Sequence, residues 1–240
     1  MQIIVADDHD DLSRIAAGHI ATAIRDTPTG VVIPATGNTP MGTYRELAAL
    51  RAAGSLDTSG LRVFQLDEYV GLPEGDDRSL WGWTLHSFVE PLDIPLAQTH
   101  RLPGNAPDLD AACHAFDAAI AAAGGVDLAI LGIGANGHLG YNEPPADATA
   151  PTRPIQLTPA SVASGAVYWG SEDRVPRSAL TAGMPHLLGA RAIVLLVSGA
   201  HKRDILDRSL NGPVTPDIPA SYLQDSANLT VICDRAAVGG

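Results

Sequence analysis

The run LGIGANGHLGYNEP, Leu131 to Pro144, decides how this chain is read. It closes the apolar segment Val126 to Ile133, a short hydrophobic run of the kind buried on both faces of a sheet. Gly132, Gly134 and Gly137 crowd the exit from that strand, so the backbone can turn sharply and come close to a ligand. Into the open turn the sequence places Asn136, His138 and Glu143. An imidazole near an amide and a carboxylate is the minimum equipment for moving a proton near neutral pH, because histidine titrates there unperturbed. A glycine turn alone is common; a second acidic strand end far upstream gives this one its weight.

That second strand is Leu61 to Leu66, and it delivers Asp67-Glu68-Tyr69 at its carboxyl end, where ligands bind in open parallel sheets. Asp67 follows the strand directly, whereas strand alternation points Glu68 elsewhere, so Asp67 is the candidate base, expected to come off a strand neighbouring that of His138 and to face the same pocket. Between the amino terminus and this strand lie a β-branched run at Gln2 to Ala6, a helix capped by Asp8 or Asp10, and the strand Gly30 to Pro34. The last runs into ATGNTP, Ala35 to Pro40, before a helix from about Met41 to Ala53. A strand, a small polar turn and a helix start can hold phosphate through free backbone N–H groups and the helix dipole. Thr36 and Thr39 add hydroxyls, Gly37 allows close approach, and Pro40 suits the first helical position. Ordinary threonine capping explains the turn equally well, and no GK[ST] follows to make it a Walker loop.

Downstream, Asp76 to Pro91 contains a helical segment whose tryptophans read as packing, and Gly104 to Asp110 starts a helix over Ala111 to Ala123. Pro145 to Pro176 is rich in Ala, Pro, Ser and Thr with weak periodicity, which predicts an irregular, mobile excursion over the site. Order resumes at Ala179 to Leu188, then come a buried strand at Ala192 to Val197, the turn SGAHK into a helix carrying Lys202, and a last strand at Leu229 to Cys233. No repeat or linker interrupts the 240 residues, so one domain over 1–240 is expected.

Aromatic residues make up 5% of the chain and apolar runs alternate with alanine-rich helical stretches, the pattern of a soluble α/β protein with a mostly parallel sheet. A formal net charge of -12 repels nucleic acid and anionic membranes, so an anionic substrate needs a local binding device. Cys113 and Cys233 form no CxxC pair, no histidine cluster has zinc spacing, and no leader or apolar span is visible. These features predict a cytoplasmic protein without metal, nucleic-acid partner or membrane attachment.

With ATGNTP, LDEYVGL at Leu66 to Leu72, GNAPD, LGIGANGHLGYNEP, ALTAGM and SGAHK in this order, the chain resembles the glucosamine-6-phosphate deaminases from about residue 30 to about 235. The resemblance implies a Rossmann-like three-layer α/β sandwich. It also implies conversion of glucosamine 6-phosphate and water to fructose 6-phosphate and ammonia, with no organic cofactor. Carried over by motif, Asp67 moves the proton on the nitrogen-bearing carbon, while Asn136, His138 and Glu143 serve ring opening. Thr36, Gly37, Asn38, Thr39 and Lys202 hold the phosphate. The chemistry agrees, since ring opening needs a proton moved between the anomeric hydroxyl and the ring oxygen, and the open-chain form acidifies the neighbouring C–H.

Two departures matter. Members of the family carry a phosphate-binding arginine in the block that here reads SVASGAVYWG, Ser161 to Gly170, which has no arginine or lysine. Losing that guanidinium costs about 1.5–3 kcal/mol of charge-assisted hydrogen bonding, unless Arg153, Arg174 or Arg177 substitutes. Ile155 stands where regulated members have a basic residue, which predicts no activation by an N-acetylated sugar phosphate. Other readings share parts of the pattern: the same chemistry on galactosamine 6-phosphate or another amino sugar, a 6-phosphogluconolactonase-type hydrolase, and a sugar-phosphate-sensing domain. A monomer and a homo-oligomer are equally compatible with the sequence.

Overall fold

The computed structural model describes residues 1–73 and 75–239. Seven parallel strands form the main sheet: β1 (Gln2–Ala6), β2 (Val31–Pro34), β3 (Arg62–Phe64), β5 (Thr99–His100), β6 (Leu128–Gly132), β9 (Ala192–Val197) and β10 (Leu229–Asp234). Their order across the sheet is β1-β10-β9-β6-β2-β3-β5. A small antiparallel sheet, β4-β8-β7, combines β4 (Asp67–Tyr69), β7 (Arg153–Gln156) and β8 (Ser178–Thr181).

The apolar runs form central strands because both faces of the sheet are covered. Val31 and Ile33 of β2, with Ala129 and Leu131 of β6, pack against Phe116 and Ile120 of α4 (Leu109–Ala122) and Ile205 of α7 (Arg203–Asn211). The alternate residues Val32, Leu128 and Ile130 face Leu12, Ile20 and Ile24 of α1 (His9–Asp26) and Tyr44 and Leu47 of α2 (Met41–Ala52). This period of two, with apolar side chains on both phases, is what the unbroken hydrophobic runs require. Asp8 caps α1 by accepting from Asp11 N at 2.8 Å.

Strand order also explains where the site lies. The chain winds outward through β2, β3 and β5, returns to pair β6 with β2, and then winds the other way through β9 and β10. The crevice at the carboxyl ends of β2 and β6 is therefore the topological switch point, the standard ligand position in such sheets.

Four expectations need correction. Asp67 does not directly follow its strand: β3 ends at Phe64, and Asp67 opens β4, a three-residue strand of the second sheet, opposite Thr181. The strands leading to Asp67 and His138 are not neighbours, since β2 lies between β3 and β6. Within residues 145–176 the chain is not irregular throughout, as it builds β7 and then α5 (Pro159–Trp169), an eleven-residue helix capped by Thr158. Pro40 precedes α2 as its N-cap rather than occupying its first position.

Candidate active site at the switch point

A pocket of about 980 Å³ opens at the ends of β2 and β6. It is lined by every acid–base and phosphate-binding candidate carried by the motifs, apart from Glu143, which stands behind His138. One pocket thus gathers residues from positions 36 to 202, and the chemistry depends on how each is held.

His138 owes its position to glycine. The turn after β6 closes through Gly137 N to Gly134 O and Gly134 N to His138 O, both at 3.0 Å, and Gly137 adopts φ +87°. The imidazole lies across Gly134 so closely that a Cβ there would sit 2.2 Å from its Cδ2 and Nε2. The glycines of this turn therefore make room for the ring.

Behind the ring, Glu143 is 7% exposed and its Oε2 receives three groups: Asn136 Nδ2 at 2.7 Å, Thr158 Oγ1 at 3.1 Å and His138 Nδ1 at 3.2 Å. Burial acts to raise the Glu143 pKa, but the His138 ring and the hydrogen bonds from Ser161 and Asn136 outweigh it and hold the carboxyl at about 2. An anion on Nδ1 selects the tautomer with its proton there and turns Nε2 toward incoming ligand. The preceding Asn142 fixes this turn on the small sheet, donating to Leu139 O and Ala182 O, each at 2.9 Å, and accepting from Arg153 Nη1 at 2.8 Å.

Asp67 has the opposite environment. It is 5% exposed, and its Oδ1 has no hydrogen-bond partner among the described residues. Burial, with the charge of Glu68 second, raises its pKa from 3.8 to about 8. A buried carboxyl that lines a pocket and has one oxygen without a partner is costly for the fold and suited to receiving a proton from a ligand. Two carboxyls pushed apart, Glu143 down to about 2 and Asp67 up to about 8, are suited to different work, one to staying charged and one to taking a proton.

On the other flank, Thr36, Gly37, Asn38 and Thr39 line the pocket, and Gly37 has φ +91°. Helix α2 starts without a side-chain cap, so the threonines are not spent on capping. Lys202 reaches the same space, its Nζ donating to Ile133 O at 2.8 Å, and burial lowers its pKa. The lysine is thus anchored by one donor and has two more to offer.

Of the arginines considered as substitutes for the missing guanidinium, Arg153 is turned to Asn142 and Pro151 O, Arg177 binds Glu172 O, and neither they nor Arg174 line the pocket. Arg78 does line it, stacked 4.6 Å from the Trp169 ring and paired with Asp76 at 2.7 Å.

Several participants were not expected. Helix α5 forms a wall of the pocket: Ser161 Oγ lies 3.3 Å from His138 Nδ1, and Tyr168 packs 4.8 Å from Trp83. Tyr141 donates to the Tyr69 hydroxyl at 2.9 Å beside Asp67. The sequence cue for α5 is Thr158-Pro159-Ala160-Ser161, a capping residue followed by proline at a helix start.

Comparison with known proteins agrees with this architecture. A sequence model described as glucosamine-6-phosphate isomerases/6-phosphogluconolactonase matches residues 7–232. A glucosamine-6-phosphate deaminase of Cutibacterium acnes is 43% identical over 99% of this chain and 91% of its own length. One from Rhodopirellula baltica is 40% identical over 99% and 94%. A solved monomeric glucosamine-6-phosphate deaminase superposes with a TM-score of 0.96 at 35% identity, covering 100% of this chain and 99% of that one. The 6-phosphogluconolactonase of Trypanosoma brucei, at 20% identity over 99% and 97% of the two chains and a TM-score of 0.75, shares the fold. The switch-point pocket and the full-length match together make this chain a member of the glucosamine-6-phosphate isomerase/6-phosphogluconolactonase family.

Proposed function

We propose that this protein is a deaminase and isomerase that converts glucosamine 6-phosphate and water to fructose 6-phosphate and ammonia. The observation that carries the reading is the pairing, in one pocket, of a buried proton-accepting Asp67 with a His138 oriented by ionised Glu143. A plain lactone hydrolysis has no carbon-bound proton to move and no need of the first group.

The phosphate sits against the Thr36, Gly37, Asn38 and Thr39 turn and Lys202, and this anchorage makes the later steps effectively unimolecular. His138 Nε2 takes the proton of the anomeric hydroxyl and returns it to the ring oxygen, which opens the ring; Asn136 and Glu143 keep the imidazole in the required tautomer. Asp67 then removes the proton from the carbon that bears nitrogen, leaving an enolamine, and delivers it to the former aldehyde carbon. The resulting imine adds water and expels ammonia. The substrate's own ammonium favours ionised Asp67 once bound, offsetting the burial that keeps it protonated in the empty pocket.

The same reading takes residues 1–240 as one domain with 145–176 moving over the pocket, and takes Ile155 as a sign that N-acetylglucosamine 6-phosphate does not activate. It also places the protein in the cytoplasm. Supporting this, both cysteines are free and buried, and no helix among the described residues is long and apolar enough to cross a membrane.

Because no arginine stands in 161–170, the deciding test is a panel of glucosamine 6-phosphate, galactosamine 6-phosphate, their unphosphorylated sugars and 6-phosphogluconolactone, scored for ammonia and for lactone loss. Ammonia from glucosamine 6-phosphate, at a kcat/KM at least 100-fold above glucosamine, is expected. Ammonia only from the galacto epimer, or lactone hydrolysis alone, would replace the reading.

A further inference from the structure

Asp67 has a role in the reaction just described, and its neighbour Glu68 has none, although Glu68 is equally buried. Strand alternation puts Asp67 toward the pocket and Glu68 behind it. There its carboxylate accepts four hydrogen bonds: from Tyr69 N at 2.8 Å, Gln65 Nε2 at 2.9 Å, Trp81 N at 2.9 Å and Leu80 N at 3.0 Å. Gln65 in turn donates to Asp67 O at 2.8 Å and accepts from Leu102 N at 3.0 Å. Four N–H donors fill the acceptor sites of its two oxygens, the set a carboxylate accepts, and its charge acts on Asp67.

A buried anion is a poor device for stability alone, since a neutral acceptor can cap a short helix without the desolvation penalty. The amides it receives open α3 (Leu80–Thr84), and Leu80, Gly82 and Trp83 of that helix line the pocket. The packing is tight enough that a Cβ on Gly104 would lie 3.2 Å from Glu68 Cγ.

We propose that Glu68 is a positioning residue of this reaction, whose buried carboxylate joins the α3 wall to the strand carrying Asp67 and holds a fixed negative charge beside it. The inference rests on the deaminase reading for its function and on the hydrogen bonds for its geometry. Among the groups around Asp67, Tyr69 on its own strand and Tyr141 from the turn after β6 are neutral phenols, and burial raises both. Thr181, its partner on β8, carries no charge. Elsewhere the pocket is lined by Asp77, Arg78 and Lys202 and by the imidazoles of His9, His86, His138 and His201, with Glu143 behind His138; among the described residues, Glu68 is the charge that acts on Asp67 alongside burial. Without that charge Asp67 loses part of its affinity for the proton it must accept and carry.

The test uses the full chain and follows ammonia release from glucosamine 6-phosphate between about pH 5 and 9.5, a range that brackets the carboxyl shift expected from a like charge. Glu68→Gln is expected to move the rising limb of kcat/KM down by about one pH unit and to lower kcat at least tenfold. Glu68→Asp keeps the charge but retracts it from the α3 amides, and should lower kcat with the limb in place. A limb that stays put in Glu68→Gln, or moves as far in Glu68→Asp, overturns the proposal. If Glu68→Gln does not fold, Glu68→Asp decides, and wild-type kcat in that variant overturns it.

A reading independent of turnover is the protonated-carboxyl infrared band that Asp67→Asn removes. Its midpoint should fall in Glu68→Gln and hold in Glu68→Asp. Failure of the wild type to release ammonia would sink the deaminase reading alone, and the infrared midpoint would still judge Glu68.

Discussion

Asp67 carries two opposed demands, because the burial that suits it to accept a proton works against the folded state. The native protein keeps its proton up to about pH 8, whereas the unfolded chain releases it near 3.8, so this group subtracts stability progressively as pH rises between those values and fully above them. Asparagine cannot ionise, and Asp67→Asn is expected to be more stable than wild type by about 1–3 kcal/mol at pH 8, with the gap shrinking toward pH 5. The same variant should lose exchange of the substrate's C2 proton with solvent. Calorimetry across pH and proton exchange by NMR check both, and a gap that does not change with pH would show that burial does not hold that proton. Glu143 behaves in reverse, contributing stability above its unfolded pKa of 4.5 that is lost as pH falls toward 2. Asp67, Asn136, His138 and Glu143 were legible as residues because each stands in a dense local motif. Ser161 and Thr158 were not, because nothing in their own stretch announces that a histidine lies within 3.3 Å of one and a glutamate within 3.1 Å of the other.

Among the elements, the turn after β6 works by what it lacks. Gly134→Ala puts a methyl where the imidazole lies, 2.2 Å from Cδ2 and Nε2, so the ring must leave its place against Glu143. The sheet ends before this turn, so the fold should survive. We expect unchanged far-UV circular dichroism and a fall in kcat of about 100-fold, the scale of a roughly 1 Å misplacement of a catalytic group. A variant with wild-type kcat would mean that the ring can act from another position. The central strands could be read from the sequence because burial on both faces leaves an unbroken apolar run. Helix α5 could not, since it packs on a small separate core with Tyr69 and Leu157 and leaves Val167 and Tyr168 exposed beside the pocket, and its apolar periodicity is correspondingly weak. Strand β4 is three residues long and pairs with β8 more than 100 positions away, so local pattern carries no sign of it.

At the scale of the whole molecule, a net charge of -12 opposes self-association. We expect this chain to sediment as a 24.9 kDa monomer at micromolar concentration, and a species of twice that mass would show that charge repulsion does not govern its association. The sequence by itself determined the α/β class and the strand and turn positions around β2, β6 and β9, and it nominated the residues proposed for acid–base work and phosphate binding. All of these are encoded in short stretches, where burial and turn chemistry act on neighbouring residues. Only the tertiary structure decided that Asp67 belongs to a second sheet, that α5 closes one wall, and that the two carboxyls are pushed apart in pKa. Strand order and desolvation arise from pairings between distant segments, and the ionisation of a carboxyl is a property of what is packed around it rather than of the residues beside it in the chain.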